Sequence, residues 1–319
     1  MTDSRLPVSF RGNLALPIIG SPMFICSYPD LVLAQCKAGI IGTFPSLNAR
    51  PAEELPRWLE RIESELTAHR AANPGARVAP YGVNLIVHKT NPRLEEDLRI
   101  CAAARVPFII TSVGDPTPIV QVVHQYGGVV FHDVTNVRHA QKAIAAGVDG
   151  LILVCAGAGG HAGTLSPFAL LPEVRKIFDG TIVLAGAIST GAQVRAAQML
   201  GADLVYIGTR FIATREANAN ERYKELLVEG QAADIVYTPY FTGIPGNYLR
   251  HSIEAAGIDP RKLNPDANVD LSSDEKTAKA WKEIWSAGQG IGSITDVPSV
   301  AELIARLTDE YDRATLPQR

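Results

Sequence analysis

The stretch GAGGHAG, residues 157–163, sets one histidine among four glycines just after the strand-like apolar run LILV. Imidazole is the side chain whose unperturbed pKa lets it exchange a proton near neutral pH. Glycines around it strip away steric cover, so His161 could reach a ligand lying over the turn. Standing alone, the same pattern is an ordinary solvent-facing turn. Two further glycine positions, Gly186 in LAGAI and Gly208-Thr209 in IGTRF, each follow an apolar run. Glycine either lets backbone N–H groups close on phosphate oxygens or supplies the positive φ of a tight turn. Arg210, beside the second pair, could serve an anion there. His132-Asp133 ends another apolar run, where a histidine more often orients neighbours than moves protons. His69, His88, His124, His139 and His251 have no matching partners and read as structural or solvated. No HxH, HExxH or carboxylate cluster has metal-ligand spacing, so no metal centre is expected.

Such residues need a frame that brings many strand ends together. Apolar runs at 16–19, 40–44, 81–86, 108–111, 129–133, 150–154, 181–184 and 204–207 read as strands. Between them, segments with apolar residues at i, i+3 and i+4 read as helices, among them 29–38, 52–70, 93–104, 117–125, 136–146 and 192–200. Nearly all-apolar strands such as LILV and TIVLAG must be covered on both faces, the mark of a parallel sheet under helices. Eight such βα units close a TIM (β/α)8 barrel, and that α/β fold is the expectation. An open doubly wound sheet usually carries GxGxxG after its first strand. Here the chain runs into IIGSPMFI, with Pro22 where that turn would need glycine.

Chemistry in a barrel gathers on the loops after the C-terminal strand ends. The residues above fall there. So do Ser21-Pro22-Met23-Phe24 after the first strand, Asn84 in the third, Thr111-Ser112 at the end of the fourth and Ala185 at the end of the seventh. Phosphate sites of barrels are frequently built from the loops after strands seven and eight, where Gly186 and Gly208-Thr209 stand. The expected division is a barrel over 1–214, a smaller, mainly helical lid or substrate domain over 215–298, and a C-terminal helix over 299–319 that packs back on the barrel. Ser273 is expected to cap a helix over 276–286, and Val300, Leu303, Ile304 and Leu307 give the last helix its apolar stripe.

A hydrophobic fraction of 46% with 20% charged residues suits a globular protein with a substantial core. The net charge of −3 carries no nucleic-acid footprint. The four cysteines form no CxxC pair, MTDSRLPVSF has no apolar leader, and no run reaches the ~18–20 apolar residues of a membrane span. A cytoplasmic protein without membrane or nucleic-acid partners is the expectation.

The segments PIIGSPMF, GVNLIV, HDVTNVRHAQKAIAAGVDGLI, GAGGHAGTLSPFALLPEVR, IVLAGAISTGAQVRAAQMLGADLVYIGTRFIAT and SAGQGIGSITD together span nearly the whole chain. In that combination the sequence resembles the nitronate monooxygenases, formerly 2-nitropropane dioxygenases, a family of FMN-dependent barrels related to FMN-type enoyl-ACP reductases and certain NADH:quinone reductases. The resemblance implies that Pro22, Met23 and Phe24 lie against the isoalloxazine, that Asn84 hydrogen-bonds the ring, and that Gly186 with its neighbours and Gly208-Thr209 hold the FMN phosphate. Thr111, Ala185 and Gly160 join that cofactor set, and the Gln289 loop would close over it. His161 would be the catalytic residue, as a base or as a holder of the anionic nitronate. His132, Asp133 and Ser166 would line the substrate pocket. One departure stands out: the quinone-reductase branch has lysine after the strand-five histidine, where this chain has Asp133.

The activity so implied is FMN-dependent oxidation of alkyl nitronates, and by extension nitroalkanes, by O2 to a carbonyl compound and nitrite, with a homodimer as one arrangement. The alternative is an NAD(P)H-dependent FMN reductase acting on quinones or enoyl thioesters. A third class, a phosphate-binding isomerase or non-catalytic barrel, would take up no FMN.

Overall fold

Apolar, β-branched runs supply the strands that close into the expected barrel. A computed structural model describes residues 5–263 and 284–314. Its parallel strands are β1 (Ile18–Gly20), β2 (Gly42–Pro45), β3 (Tyr81–Ile86), β4 (Phe108–Ser112), β5 (Val129–Val134), β6 (Gly150–Val154), β8 (Thr181–Ala185) and β9 (Leu204–Ile207). A short outlying strand, β7 (Gly160–His161), lies between β6 and β8 in the chain. The hydrogen-bonded order is β1-β9-β8-β6-β5-β4-β3-β2. Ile41 N–H donates to Ile18 O (3.1 Å) and Gly20 N–H to Ile41 O (2.7 Å), which joins the two ends. Helices α1 (Pro29–Lys37), α2 (Glu54–Ala72), α3 (Leu94–Ala103), α4 (Thr117–Gln125), α5 (Val137–Ala145), α6 (Pro167–Arg175) and α7 (Gly191–Leu200) cover the outside, and a single turn, α8 (Thr209–Ile212), follows β9. α6 is a helix with a proline inside it, Pro172, so its apolar spacing is easily missed.

Strand parity divides the barrel into two cores. One face of each strand packs outward under the helices. The other fills the interior with Ile19, Ile110, Ile152, Val183 and Leu204 above the rings of Phe10, Phe108 and Phe131. Those rings meet edge to face, with centroids 4.9 to 5.8 Å apart. Two strand glycines make room for them: a Cβ on Gly82 would lie 2.5 Å from the Phe108 ring, and one on Gly150 2.5 Å from the Phe131 ring. Phe10, from the N-terminal segment, therefore plugs the barrel bottom.

Beyond β9 the chain forms α9 (Glu221–Glu229), an antiparallel hairpin of β10 (Ile235–Thr238) and β11 (Gly246–Leu249), and α10 (Arg250–Ala255). The segment after β9 thus holds strands as well as helices. β11 pairs with β7, Gly246 opposite His161 and Asn247 opposite Gly160. Most of the helix expected over 276–286 lies outside the described residues. Its last residues, 284–286, are not helical, and Ser286 bridges to Tyr248. The final helix, α11 (Val300–Arg313), opens with a Ser299–Glu302 capping box and lies on α7, where Gly191 N–H donates to Glu310 Oε2 at 2.7 Å. Among the described residues no helix is long and apolar enough to cross a membrane.

Candidate active site

A cleft of about 2030 Å3 opens at the C-terminal end of the barrel. Pro22, Met23, Phe24, Asn84, His132, Asp133, Gly160, His161, Ala185, Gly186, Gly208 and Thr209 all line it. The structure thus brings together most of the residues singled out from the sequence.

The loop after β1 carries Pro22-Met23-Phe24, and its conformation is strained. Ile25 has φ +68°, which a β-branched side chain rarely adopts. Buried Asn48 holds it there: its Oδ1 accepts from Ile25 N–H (2.9 Å), and its Nδ2 donates to Met23 O (3.0 Å) and Ser27 O (2.8 Å). The Arg50 guanidinium lies 5.3 Å from the Phe24 ring centroid. Val113, after β4, and Ala187, after β8, also have positive φ, so three of the four such non-glycine residues described sit on mouth loops.

Across β3, β4 and β5 runs a polar chain on the interior face. Asn84 Nδ2 donates to Ser112 Oγ at 2.8 Å, and Ser112 Oγ donates to Asp133 Oδ2 at 2.6 Å. Burial pushes the Asp133 carboxyl up to about 7, against the downward pull of the Ser112 hydroxyl.

His132 and Thr111 belong to the opposite strand face. Thr111 Oγ1 donates to Phe131 O (3.2 Å) and lies 2.8 Å from His132 Nδ1. Thr111 is fully buried and does not line the cleft. Expected against the cofactor, it stands beside His132 and away from the cleft lining. Burial lowers the His132 imidazole to about 4.

His161 reaches the cleft from β7, held by the hairpin. Its Nε2 lies 3.0 Å from Thr242 Oγ1, while Ala162 N–H donates to Pro245 O (3.2 Å), Tyr237 Oη to Ala162 O (3.0 Å) and Asn247 Nδ2 to Ala158 O (2.6 Å). The residue is exposed toward the cleft, yet the protein packed around it pushes its imidazole down to about 4 by burial. At neutral pH the ring is uncharged. Thr242, Tyr237 and Asn247 were not foreseen from the sequence, although Thr242 and Asn247 lie in the conspicuous run TPYFTGIPGNYLR.

Two glycine turns complete the mouth. Gly186 and Ala187 have φ +134° and +54°, and a Cβ on Gly186 would lie 2.9 Å from Ala156 O. The N–H groups of Ala187, Ile188, Thr209 and Arg210 make no hydrogen bond within the described residues. That leaves two neighbouring turns with backbone donors to offer an anion. Arg210 does not join them. Its guanidinium is buried, donating to Ala213 O (3.1 Å) and Asp296 Oδ1 (2.8 Å), so it anchors the turn from behind.

The segment 287–290 closes against the β6 loop. A Cβ on Gly159 would sit 2.9 Å from Gly288 N, and Thr209 Oγ1 accepts from Gly288 N–H at 2.9 Å. Gly288 and Gly290 line the cleft, whereas the exposed Gln289 does not and binds through its N–H to Gly157 O (2.9 Å). Ser166, expected in the substrate pocket, stands at the start of α6. It is the exposed N-cap of α6, accepting from Phe168 N–H at 3.3 Å, and lies off the cleft. Among the described residues no group of three His, Cys, Asp or Glu could hold a metal ion.

The family model for nitronate monooxygenase matches residues 12–310. A nitronate monooxygenase of Paraburkholderia phytofirmans is 28% identical, covering 93% of this chain and 93% of its own. The structure of FabK from Thermotoga maritima superposes with a TM-score of 0.76 at 25% identity, covering 94% of this chain and 93% of that one. Nitroalkane oxidase from Streptomyces ansochromogenes shares the fold, with a TM-score of 0.76 at 23% identity over 96% of this chain and 98% of its own.

Proposed function

The chain belongs to the nitronate monooxygenase family, and from that premise we propose that it uses FMN to oxidise alkyl nitronates with O2 to a carbonyl compound and nitrite. It is a flavin-dependent oxidoreductase acting on a small molecule. The observation that carries the finer reading is His161, held by Thr242 and open to a cleft that two glycine turns also line.

The residues fit FMN. The turns at Gly186-Ala187 and Gly208-Thr209 offer N–H groups to its phosphate without needing a cationic side chain. Met23 and Phe24 offer apolar contact to its ring, and Asn84 an amide within the cleft wall. When bound, FMN supplies the electron-accepting and O2-reducing chemistry.

The chain's own work is positioning and proton handling. Neutral His161 can accept the α-proton of a nitroalkane, which extends the substrates from nitronates to their conjugate acids. When an anionic nitronate lies beside it, the same ring gains a reason to hold a proton, since a neighbouring negative charge raises its pKa. The 287–290 segment and the hairpin wall off the mouth, limiting water there.

The test is a visible spectrum of the purified protein followed by O2 uptake with and without propionate-3-nitronate. A yellow protein whose O2 uptake depends on the nitronate supports the reading. Anaerobic bleaching by NADH or NADPH, with no response to nitronate, moves the chain to the reductases. A colourless protein that takes up no FMN removes both.

A further inference from the structure

Asp133 is the one acidic group built into the inner wall of the barrel among the residues lining the cleft floor. Its side chain shares a strand face with Phe131, which faces the aromatic plug. One carboxylate oxygen, Oδ2, accepts from Ser112 Oγ at 2.6 Å. The other, Oδ1, is buried and has no hydrogen-bond partner among the described residues. Neighbouring β6 presents the apolar Ile152 at the same level, and β9 presents Tyr206, whose phenol burial holds well above its usual range. An ionised carboxylate needs both oxygens solvated or bonded, and a sealed, orphaned Oδ1 makes the charged form costly. The cofactor's ring would meet this floor, and a resident anion there would oppose any negative charge the ring takes on.

We propose that Asp133 faces the bound flavin as a neutral carboxylic acid, a hydrogen-bond donor set in the barrel floor where a fixed charge would otherwise stand. The raised carboxyl, near 7, agrees with that state. The chain Asn84–Ser112–Asp133 gives the proton two places to go. Ionised Asp133 accepts from Ser112; neutral Asp133 can donate from Oδ2 to Ser112 Oγ, which turns the Ser112 hydroxyl proton toward the cleft that Ser112 lines. Other titratable or charged groups line the same cleft: Cys26, Arg50, His88, Arg93, Asp115, His139, Lys142, His161, Tyr223 and Tyr237. His132, adjacent in sequence, is turned to the other strand face against Thr111. Tyr206 and the lowered His161 stay uncharged near pH 7, which leaves Asp133 as the inner-wall group that changes charge there.

This inference rests on the flavin reading above, and the experiment separates the two. Flavin content is measured first, then the absorption spectrum and midpoint potential of the bound flavin are followed from pH 5 to 9 in the wild-type, Asp133→Asn and Ser112→Ala holoproteins. The expected result is an inflection near neutral pH in the wild type, with the potential falling more steeply above it, and none in Asp133→Asn. Ser112→Ala removes a bond that favours the charged form, so its inflection moves to higher pH. Yellow proteins with identical profiles in wild type and Asp133→Asn overturn the proposal and leave the flavin reading intact. An inflection that stays put or moves down in Ser112→Ala also overturns it. A protein that binds no flavin overturns both.

Discussion

His161 Nε2 lies 3.0 Å from Thr242 Oγ1, so the ring at the barrel mouth is held by a residue 81 positions further along the chain. Thr242 Oγ1 also lies 3.0 Å from Ile244 O, which fixes the hydroxyl within the loop of the hairpin. Thr242 therefore orients the imidazole without itself reaching a substrate. Thr242→Val is expected to lower kcat/KM about tenfold, the worth of one orienting hydrogen bond. Thr242→Ser restores most of it, whereas a merely structural role would leave kcat/KM unmoved and shift only the melting temperature.

Replacing His161 by alanine tests the proton role directly. Loss of a general base costs about 10²–10⁴-fold in turnover on nitroalkanes, while flavin content stays at the wild-type level. Nitronates arrive already deprotonated, so their oxidation falls much less. An equal loss on both substrates points instead to anion positioning.

The pH dependence follows from the same group. Its folded-state pKa is lowered from the ordinary histidine value of 6.5 to about 4, so the neutral form is the native one. The associated stability is present above the ordinary histidine pKa and is lost as pH falls through the folded value. Nitroalkane kcat/KM should then stay level from pH 7 down to about 5 and decline only below that. A limb centred between pH 6 and 7 that persists in Asp133→Asn would show an unperturbed, solvated imidazole and remove the argument.

What could be read in the chain and what could not follow from the range of the interactions. Strands such as β6 and β8 announce themselves because they are buried on both faces, so LILV and TIVLA are almost wholly apolar. Thr111 and Asp133 show the limit. Both sit at strand ends, but parity puts one under the helices and the other inside the barrel, and parity is fixed only once Phe108 and Phe131 are known to face inward. Ile25 and Val113 carry no local signal for positive φ; tertiary bonds such as those of Asn48 impose it on Ile25. The hairpin that holds His161 pairs with a two-residue strand inside a glycine run, and no periodicity can be seen in two residues.

The two glycine turns, if they hold the FMN phosphate as proposed, predict a binding defect. Gly208 lies where a Cβ would stand 3.3 Å from Ser21 Cβ and 3.4 Å from Met23 Sδ. A larger side chain there pushes against the loop that carries Met23 and Phe24. Gly208→Val should weaken FMN binding at least tenfold, about 1.4 kcal/mol, as measured by fluorescence titration of the apoprotein. Arg210→Met, behind the turn, weakens it less and costs mainly stability, because the buried guanidinium bonds Ala213 O and Asp296 rather than facing the cleft.

The barrel plug sets the last expectation. Phe10 is fully buried between Phe108 and Phe131, at centroid distances of 5.3 and 5.8 Å, and comes from a segment outside the eight strands. Truncating it leaves a ring-sized cavity that Gly82 and Gly150, lacking side chains, cannot fill. Phe10→Ala is expected to cost about 3–5 kcal/mol in denaturant unfolding. The mouth lies at the other end of the barrel, so flavin content and kcat in the folded fraction should be unchanged. If stability barely moves, the N-terminal segment is not packed into the barrel in solution. If kcat falls with it, the aromatic layer also supports the polar floor that Asp133 and Ser112 form above it.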